Sequence, residues 1–538
     1  MVHYSLKSII LKKTEKKINH YNQIRMIKEK FSFNKNVDLL ETYKRCRNWI
    51  EKNSVPNKGI RPQYELSDKF NDIAYPEVTG YFIPTLIDWG FRDKALAWSE
   101  WLLSIQHEDG SWYDYTDCDP YTFDTGQILK GLISVYKINP SDKLKTAILK
   151  GADYILSMQE DNGNLTTASK RYWYDGITTE LIHLYCLKPL IEISELFGND
   201  KYKKCAESAL KYYVSEFRDK LVDFHTLSHF YAYMTEALID LGEKETAQEA
   251  MDNVAKIQKK NGFIPAYKNV GWTCSTGLFQ FAICWYKLGD KIRADKTFDY
   301  ACSLQTQNGG WLGSYGKNAS YIPRAEISWA TKYFLDALKL KITTHFSNTT
   351  DTKMLNFGGT YALENTISDK DERLISVLKN LDLYKNTNIK LLDMGCGLGR
   401  FLKQINKHYP QFELYGCDLS KDILENVPEY VNKACGSLLN SPYQNDFFDV
   451  VITIEALEHT LETENALREM YRILKPDGYV YILDKNIEYK GNLEMPPWEQ
   501  WFDTDNLVEL LKKTGFKNAD CEVVSSQNKM YLLWKGQK

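Results

Sequence analysis

A chain of 538 residues is long enough for two or three domains, each with its own core. Its formal net charge of −3 offers no basic footprint, which argues against general nucleic-acid binding, and no apolar run approaches the roughly 18 residues of a membrane span. The 11 cysteines include no C-x-x-C pair, so a zinc ribbon or redox motif is not expected, and they read as reduced thiols of a cytoplasmic protein.

Residues 1–34 read as an N-terminal helical extension. Several lysines there flank a single short apolar stretch, Ile9-Ile10-Leu11, too short for a secretory signal. A solvated leading helix is the simpler reading. Peripheral association with a membrane surface stays open, and stable insertion is not expected.

Residues 35–340 repeat. A helical run ending in glutamine precedes a glycine turn four times: Gln106 before Asp109-Gly110-Ser111-Trp112, Gln159 before Asn162-Gly163, Gln258 before Asn261-Gly262, and Gln305 before Asn308-Gly309-Gly310-Trp311. The period is near 50 residues. One double-length gap leaves room for a degenerate unit around Tyr212-Tyr213-Val214. Such a period means one supersecondary unit repeated. Apolar spacing within each unit is helical, as at Leu129, Leu132, Ile133 and Tyr136. Glycine ends each helix because it takes positive φ without steric cost. Five or six helical hairpins of this kind close into an all-α (α/α) toroid.

The repeat Q-x-x-x-G-x-W resembles the QW motif of the terpenoid cyclase and protein prenyltransferase superfamily. The resemblance implies the fold more than the chemistry. The D-x-D-D of a class II cyclase is not met by Asp117-Cys118-Asp119-Pro120, and no clear metal-binding acid cluster or zinc set is present. Toroids also serve glycan-modifying enzymes.

In a toroid the loops after the glycine turns converge on one mouth. They carry the candidate catalytic residues Glu180, His225, His229 and Glu326, and the candidate substrate-binding residues Asp124, Trp173, Tyr174, Tyr231, Trp272 and Arg324. Aromatic faces beside carboxylates suit a sugar, and the 36 tyrosines add hydroxyl-bearing walls. His225 and His229 are expected one helical turn apart on one face, serving as acid–base groups. Zinc is disfavoured because the interior Glu of H-E-x-x-H is missing. Each of these residues also has an ordinary structural role open to it: a carboxylate at a helix start, or an N-cap in the case of Asp124. Trp112 and Trp311 read as packing between repeats.

Residues 341–365 are polar and aperiodic and read as a linker. The C-terminal part, 366–538, reads as an α/β domain. Leu391-Leu392-Asp393-Met394 is a short apolar strand, Gly395-Cys396-Gly397-Leu398-Gly399 a glycine-rich turn, and Arg400 opens a helix. Asp418 ends the next strand, 25 residues after Asp393, where an acid binds a ribose. The third glycine comes one residue too early for a dinucleotide fingerprint.

The run D-x-G-x-G-x-G resembles motif I of class I S-adenosylmethionine (SAM) methyltransferases. Gly436-Ser437 resembles the adenine-contacting loop, Asp446–Ile452 the fourth strand, Glu455–His459 the loop after it, and Arg472–Gly478 the turn before strand five. The resemblance implies a Rossmann-like fold and SAM as cofactor, with Asp393, Gly395, Gly397, Gly399, Asp418, Leu419, Ser437, Leu438 and Glu455 around it. Ser437 stands where the family usually has Asp, which implies a differently tuned adenine contact. His459 is the implied general base, with ordering of Glu458 or of the acceptor as its other reading. Pro496–Phe502 lies where acceptor-binding insertions occur, with Trp498 and Glu499 suited to a sugar; no metal is required.

The combined expectation is a two-domain enzyme: a SAM-dependent O-methyltransferase fused to a toroid that binds or modifies the same surface glycan or modified sugar. An isoprenoid-cyclising toroid, a non-catalytic binding toroid, and a protein or amine acceptor are the alternatives. The oligomeric state is not legible in the sequence.

Overall fold

The computed structural model describes residues 37–65, 73–115, 119–168, 180–347, 366–491, 495–524 and 530–538. Asp117, Cys118, Trp173, Tyr174, Asp175 and the extension over residues 1–34 lie outside them. The chain divides into two compact units, one of residues up to Thr85 with Asp93–Lys341, the other Leu86–Arg92 with Ile342–Lys538.

The first unit is built of helices in pairs: α1 (Leu39–Asn53), α2 (Pro76–Asp88), α3 (Arg92–Ser104), α4 (Thr122–Ile138), α5 (Asp142–Ser157), α6 (Leu187–Phe197), α7 (Asp200–Val222), α8 (Ser228–Asp240), α9 (Lys244–Ala255), α10 (Ser275–Leu288), α11 (Lys291–Ser303) and α12 (Ser328–Ser347). The even-numbered helices α4, α8 and α10 are buried on nearly every side; in α10 every residue from Ser275 to Tyr286 is buried. Their odd-numbered partners α5, α9 and α11 keep one apolar stripe and one wet face. A helix apolar all round must lie inside.

The repeat motif explains how neighbouring pairs are fastened. Gln106 Nε2 donates to Gly110 O of its own turn and to Ala147 O of α5 (3.0 and 2.9 Å). Gln159 does the same with Gly163 O and Cys205 O of α7, and Gln258 reaches Arg293 O of α11. Gln305 bonds Gly309 O and Thr42 O of α1, both at 2.9 Å. The last odd-numbered helix therefore bonds the first. The turn glycine is doubly required: Gly309 has φ +101°, and a Cβ there would sit 2.1 Å from Arg45 O. Strands β1 (Gln63–Glu65) and β4 (Ala325–Ile327) pair antiparallel across the same seam, and β2 (Thr273–Cys274) pairs with β3 (Ser314–Tyr315). Trp112 and Trp311 are fully buried and donate to Leu102 O and Ala301 O, which makes them packing residues.

The second unit centres on a seven-stranded sheet in the order β10-β11-β9-β8-β5-β6-β7. Its strands are β5 (Lys390–Met394), β6 (Glu413–Asp418), β7 (Asn432–Cys435), β8 (Phe448–Ile454), β9 (Leu474–Lys485), β10 (Lys517–Val523) and β11 (Tyr531–Gln537). Strands β5 to β9 run parallel, and β11 is antiparallel to both neighbours. The flanking helices are α13 (Glu372–Leu381), α14 (Arg400–His408), α15 (Thr463–Ile473) and α16 (Thr504–Thr514). Two apolar clusters, one around Leu391, Leu402 and Ile452 and the other around Leu392, Leu467 and Ile482, cover the two faces of the sheet. Alternate residues of β5 thus serve opposite layers, as a doubly wound sheet demands.

Two boundaries differ from the sequence reading. Helix α12 continues through Ser347, so the expected linker does not begin at residue 341. Threonines and β-branched residues lowered the apparent helicity there, and tertiary packing overrides such propensities. The turn expected over Arg472–Gly478 is divided between the end of α15 (Arg472, Ile473) and the start of β9, with Asp477 at φ +65° and a register shift between Phe448 and Val450.

Candidate active site

From β5 the chain winds outward to β6 and β7, then returns to place β8 and β9 on the other side. Ligands bind at such a switch point, outside the carboxyl ends of the strands. Asp393 to Gly399, Asp418, Glu455 to His459, and Asp484 to Lys485 all lie at those ends.

The glycine turn is pinned from below. Gly395 N and Cys396 N both donate to Cys417 O at 2.8 and 3.1 Å, and Gly399 N donates to Cys396 O. Gly397 N donates to Asp418 Oδ2 at 3.0 Å, while Asp418 Oδ1 accepts from Ser420 N at 3.1 Å. Gly397 has φ +51°, and a Cβ added there would meet nothing within 4 Å, so the loop faces open space. Asp393 lies beneath, 2% exposed, with its Oδ1 unpartnered. Burial and then the charge of Asp418 push the Asp393 carboxyl up to about 7, against the pull of Arg400. Burial also raises Asp418, with the backbone amides of Ser420 and Gly397 pulling it back. An orphaned acceptor below a glycine turn that faces open space fits a cationic nucleoside such as SAM. Asp393, Gly397 and Asp418 would hold it, with Leu419 half-buried just past β6.

Three implied cofactor residues have other partners. Glu455, at φ +52° and buried, accepts from Arg373 Nη1 on Oε1 (2.5 Å) and from Arg400 Nη2 on Oε2 (2.8 Å). Burial raises its carboxyl, and the two guanidiniums outweigh that and hold it below the usual range. It works as a strut between α13 and α14, where a cofactor contact was expected. Ser437 Oγ accepts from Leu439 N and Asn440 N, shaping its own loop, and Leu438 is buried in the core.

His459 closes a short helical turn after β8. Its Nε2 lies 3.4 Å from Glu458 Oε1 and its Nδ1 4.0 Å from Glu499 Oε2. Lys485 Nζ bonds Glu458 Oε1 at 2.7 Å and Glu499 Oε1 at 3.3 Å, and Trp501 Nε1 donates to Glu499 Oε1 at 2.7 Å. Glu458 is fully buried with Oε2 unpartnered, and burial drives its carboxyl upward. Glu458, His459 and Glu499 each offer a ligand atom within 4.8 Å of the others, but the Lys485 ammonium already answers the charge a metal ion would neutralise. Trp498 is buried, with its Nε1 unpartnered.

In the first unit the structure separates residues that the sequence seemed to group. Helix α8 starts at Ser228, so His225 lies in the preceding loop, its Nδ1 on Asp223 O (2.9 Å). His229 lies in the first turn, with Nδ1 on Gln280 Oε1 (2.6 Å). The two imidazoles do not share a helical face. Glu326, fully buried, accepts from Trp49 Nε1 (2.6 Å), Asn308 and Thr306, tying α1 to the last repeat. Tyr231 is buried with its hydroxyl on Leu221 O, and Trp272 packs among Leu227, Ala266 and Cys274. Both are core residues here. Arg324 and Glu180 are half-buried. Asp124 is 2% exposed in the first turn of α4 with Oδ2 unpartnered.

Sequence reading missed Glu77, second residue of α2 and 7% exposed, and Lys130 on α4. Burial pushes Glu77 up to about 8 and, with repulsion from Lys332, brings Lys130 down to about 7. The available signal was positional: Glu77 and Asp124 hold matching places in the first turns of two inner helices.

Residues 392–482 match a family model described as a methyltransferase domain. The chain is similar to norajmaline N-methyltransferase of Rauvolfia serpentina, 31% identical over 20% of this chain and 40% of that one. It is also similar to the tRNA (carboxymethyluridine(34)-5-O)-methyltransferase of Arabidopsis thaliana, 35% identical over 20% of this chain and 27% of that one. Among solved structures it is similar to Haemonchus contortus phosphoethanolamine N-methyltransferase 2 in complex with S-adenosyl-L-methionine. That match has TM-score 0.30 and 19% identity, covering 36% of this chain and 60% of that one. The chain thus spans well under half the length of these curated relatives. No helix among the described residues is long and apolar enough to cross a membrane. With the glycine turn, the buried Asp393 and the strand-end acid Asp418 in place, residues 392–482 carry a SAM-dependent methyltransferase domain.

Proposed function

We propose that the chain is a SAM-dependent O-methyltransferase acting on a carbohydrate-like small molecule, within surface-glycan or modified-sugar biosynthesis. SAM supplies a methyl group that is already electrophilic on its sulfonium. The protein's part is to bind the acceptor, align it and take up its proton. The observation that carries the reading is the placing of His459 between Glu458 and Glu499 at the strand ends beside the glycine turn. The two carboxyl groups orient the imidazole, which would take up the proton that an acceptor hydroxyl gives up. Glu499 and the indole of Trp501 would face the acceptor.

The first unit is read as an α/α toroid over residues 35–340 that holds the same acceptor. The glutamine bond from α11 to α1 and the β1–β4 seam support ring closure. Tyrosine hydroxyls that bond one another, as in Tyr185 to Tyr333, favour a polar ligand over an isoprenoid. Buried free thiols, raised by burial at Cys186 and Cys417, fit a reducing, cytoplasmic setting.

Two measurements test the reading. SAM titrated calorimetrically into Asp418→Ala should bind at least tenfold more weakly than into the parent; equal affinity removes the cofactor assignment. Incubation with SAM and a panel of sugars and isoprenyl phosphates should add one methylene to a sugar, and a gain on an isoprenoid alone overturns the acceptor class.

A further inference from the structure

The centre of the first unit carries charge that the methyl-transfer reading does not use. Tyr333 on α12 lies 6.1 Å, ring to ring, from both Tyr81 on α2 and Tyr233 on α8. Tyr185, in the turn before α6, is 4.7 Å from Tyr233. Rings from four inner segments meet, so they mark the axis around which the hairpins are arranged. Glu77, His229 and Trp329 each precede one of these tyrosines by four residues, which sets a second layer one turn nearer the helix N-termini.

Two ammonium groups lie against these rings. Lys130 Nζ lies 2.9 Å from the Tyr185 centroid and Lys332 Nζ 3.9 Å from that of Tyr333. Lys332 has Asp336 at 2.6 Å. Among the described residues Lys130 has no carboxylate within ion-pair distance; Lys332 opposes its charge, and Glu236 and Asp240 favour it from farther off. An enclosed, unpaired ammonium beside a like charge lowers stability. Such arrangements concentrate at functional sites.

The upper layer is short of partners too. Asp124 Oδ2, Gln280 Nε2 and Thr276 Oγ1 are buried and unbonded, at 2%, 0% and 0% exposure. Gln280 is the residue that fixes His229. Unmet donors and acceptors in one layer, aromatic faces and cations in the next, match a ligand with hydroxyls at one end and a negative group at the other.

We propose that this cluster of buried groups binds a sugar carrying an anionic group, which lies between Lys130 and Lys332 beside the tyrosine rings while Glu77, Asp124 and Gln280 bond its hydroxyls. This deepens the reading of the first unit as a carbohydrate-binding ring and rests on it.

The test is saturation-transfer NMR on the full chain with glucuronic acid, glucose 1-phosphate and glucose as probes. At least one anionic sugar should bind tenfold or more tightly than glucose, and the two anionic arms separate carboxylate from phosphate. Lys130→Met, similar in length and uncharged, should bring that sugar down to the affinity of glucose. Glu77→Gln should weaken all three probes. Binding of glucose as tight as that of both anions, a preference that survives Lys130→Met, or no binding of any probe would each overturn the proposal. Should Lys130→Met fail to fold, the comparison of probes on the parent chain still decides. Asp418→Ala should leave sugar binding intact, so loss of the SAM site and loss of this site are told apart.

Discussion

Replacing Asp393 by Asn should weaken SAM binding and stabilise the protein without SAM, two effects of opposite sign from one group. The ordinary aspartate value is 3.8, and burial with the charge of Asp418 lifts Asp393 to about 7 while Arg400 opposes. Between those values the folded chain holds a proton that the unfolded chain has released. Stability therefore falls as pH rises through that window and stays low above it. Some three units at 1.36 kcal/mol each amount to roughly 4 kcal/mol at pH 8. Asn removes the ionisation but brings an amide donor whose lack of a partner costs about 1–3 kcal/mol. The net gain is a few kcal/mol at pH 8, or about 2–4 °C per kcal/mol in Tm for a domain of this size. Below pH 4 the gain should vanish, because both states of Asp393 are then neutral. Binding moves the other way. The charged carboxylate opposite a cationic ligand contributes about 1.5–3 kcal/mol, so Asn should raise Kd roughly 10–150-fold at pH 8. In the parent, affinity should fall about tenfold per pH unit just below 7 as Asp393 takes up its proton; in the variant it should be flat. Calorimetry from pH 6 to 8, with thermal melting of the transition that SAM shifts, reads both. Equal pH slopes in parent and variant, or a variant destabilised equally at pH 5 and pH 8, would refute the reasoning.

Two further outcomes follow from named contacts. Gln305→Ala strips a donor from the buried carbonyls of Thr42 and Gly309, and at about 1–3 kcal/mol for each it should destabilise the first unit by roughly 2–5 kcal/mol. A change below about 0.5 kcal/mol in denaturant melts would mean that the bond from Gln305 to α1 does not hold the first and last hairpins together. His459→Asn should lower the methylation rate by about 10²–10⁴ with SAM affinity unchanged, and a rate that is merely halved would leave His459 an orienting residue only.

The C-terminal fold and its turn were legible because each signal there is local. A glycine whose φ must be positive, and an acid at a strand end, leave their mark within a few residues of the atoms they serve. The arginine partners of Glu455 were not legible, for the opposite reason. It sits at the right strand end, but its partners Arg373 and Arg400 come from α13 and from the helix after the glycine turn, and only the folded sheet brings them to it. Ser437 shows the same limit at shorter range: a hydroxyl in a tight loop satisfies the loop's own amides before it serves a ligand.

In the first unit the repeat spoke clearly for hairpins and poorly for chemistry. Glutamine and glycine recur because each fastens one hairpin to the next, so the conspicuous motif is architectural at every copy. The pairing of His225 with His229 failed because spacing by four places side chains together only inside a helix, and the helix begins between them. Glu77, Lys130 and Lys332 belong to no motif. They lie on three different helices and become neighbours only in the folded unit. Function built from residues so far apart in the chain has to be read from buried charge. That is why Lys130, without an ion pair among the described residues, bears on the proposed ligand of this unit more than any of its four glutamine turns.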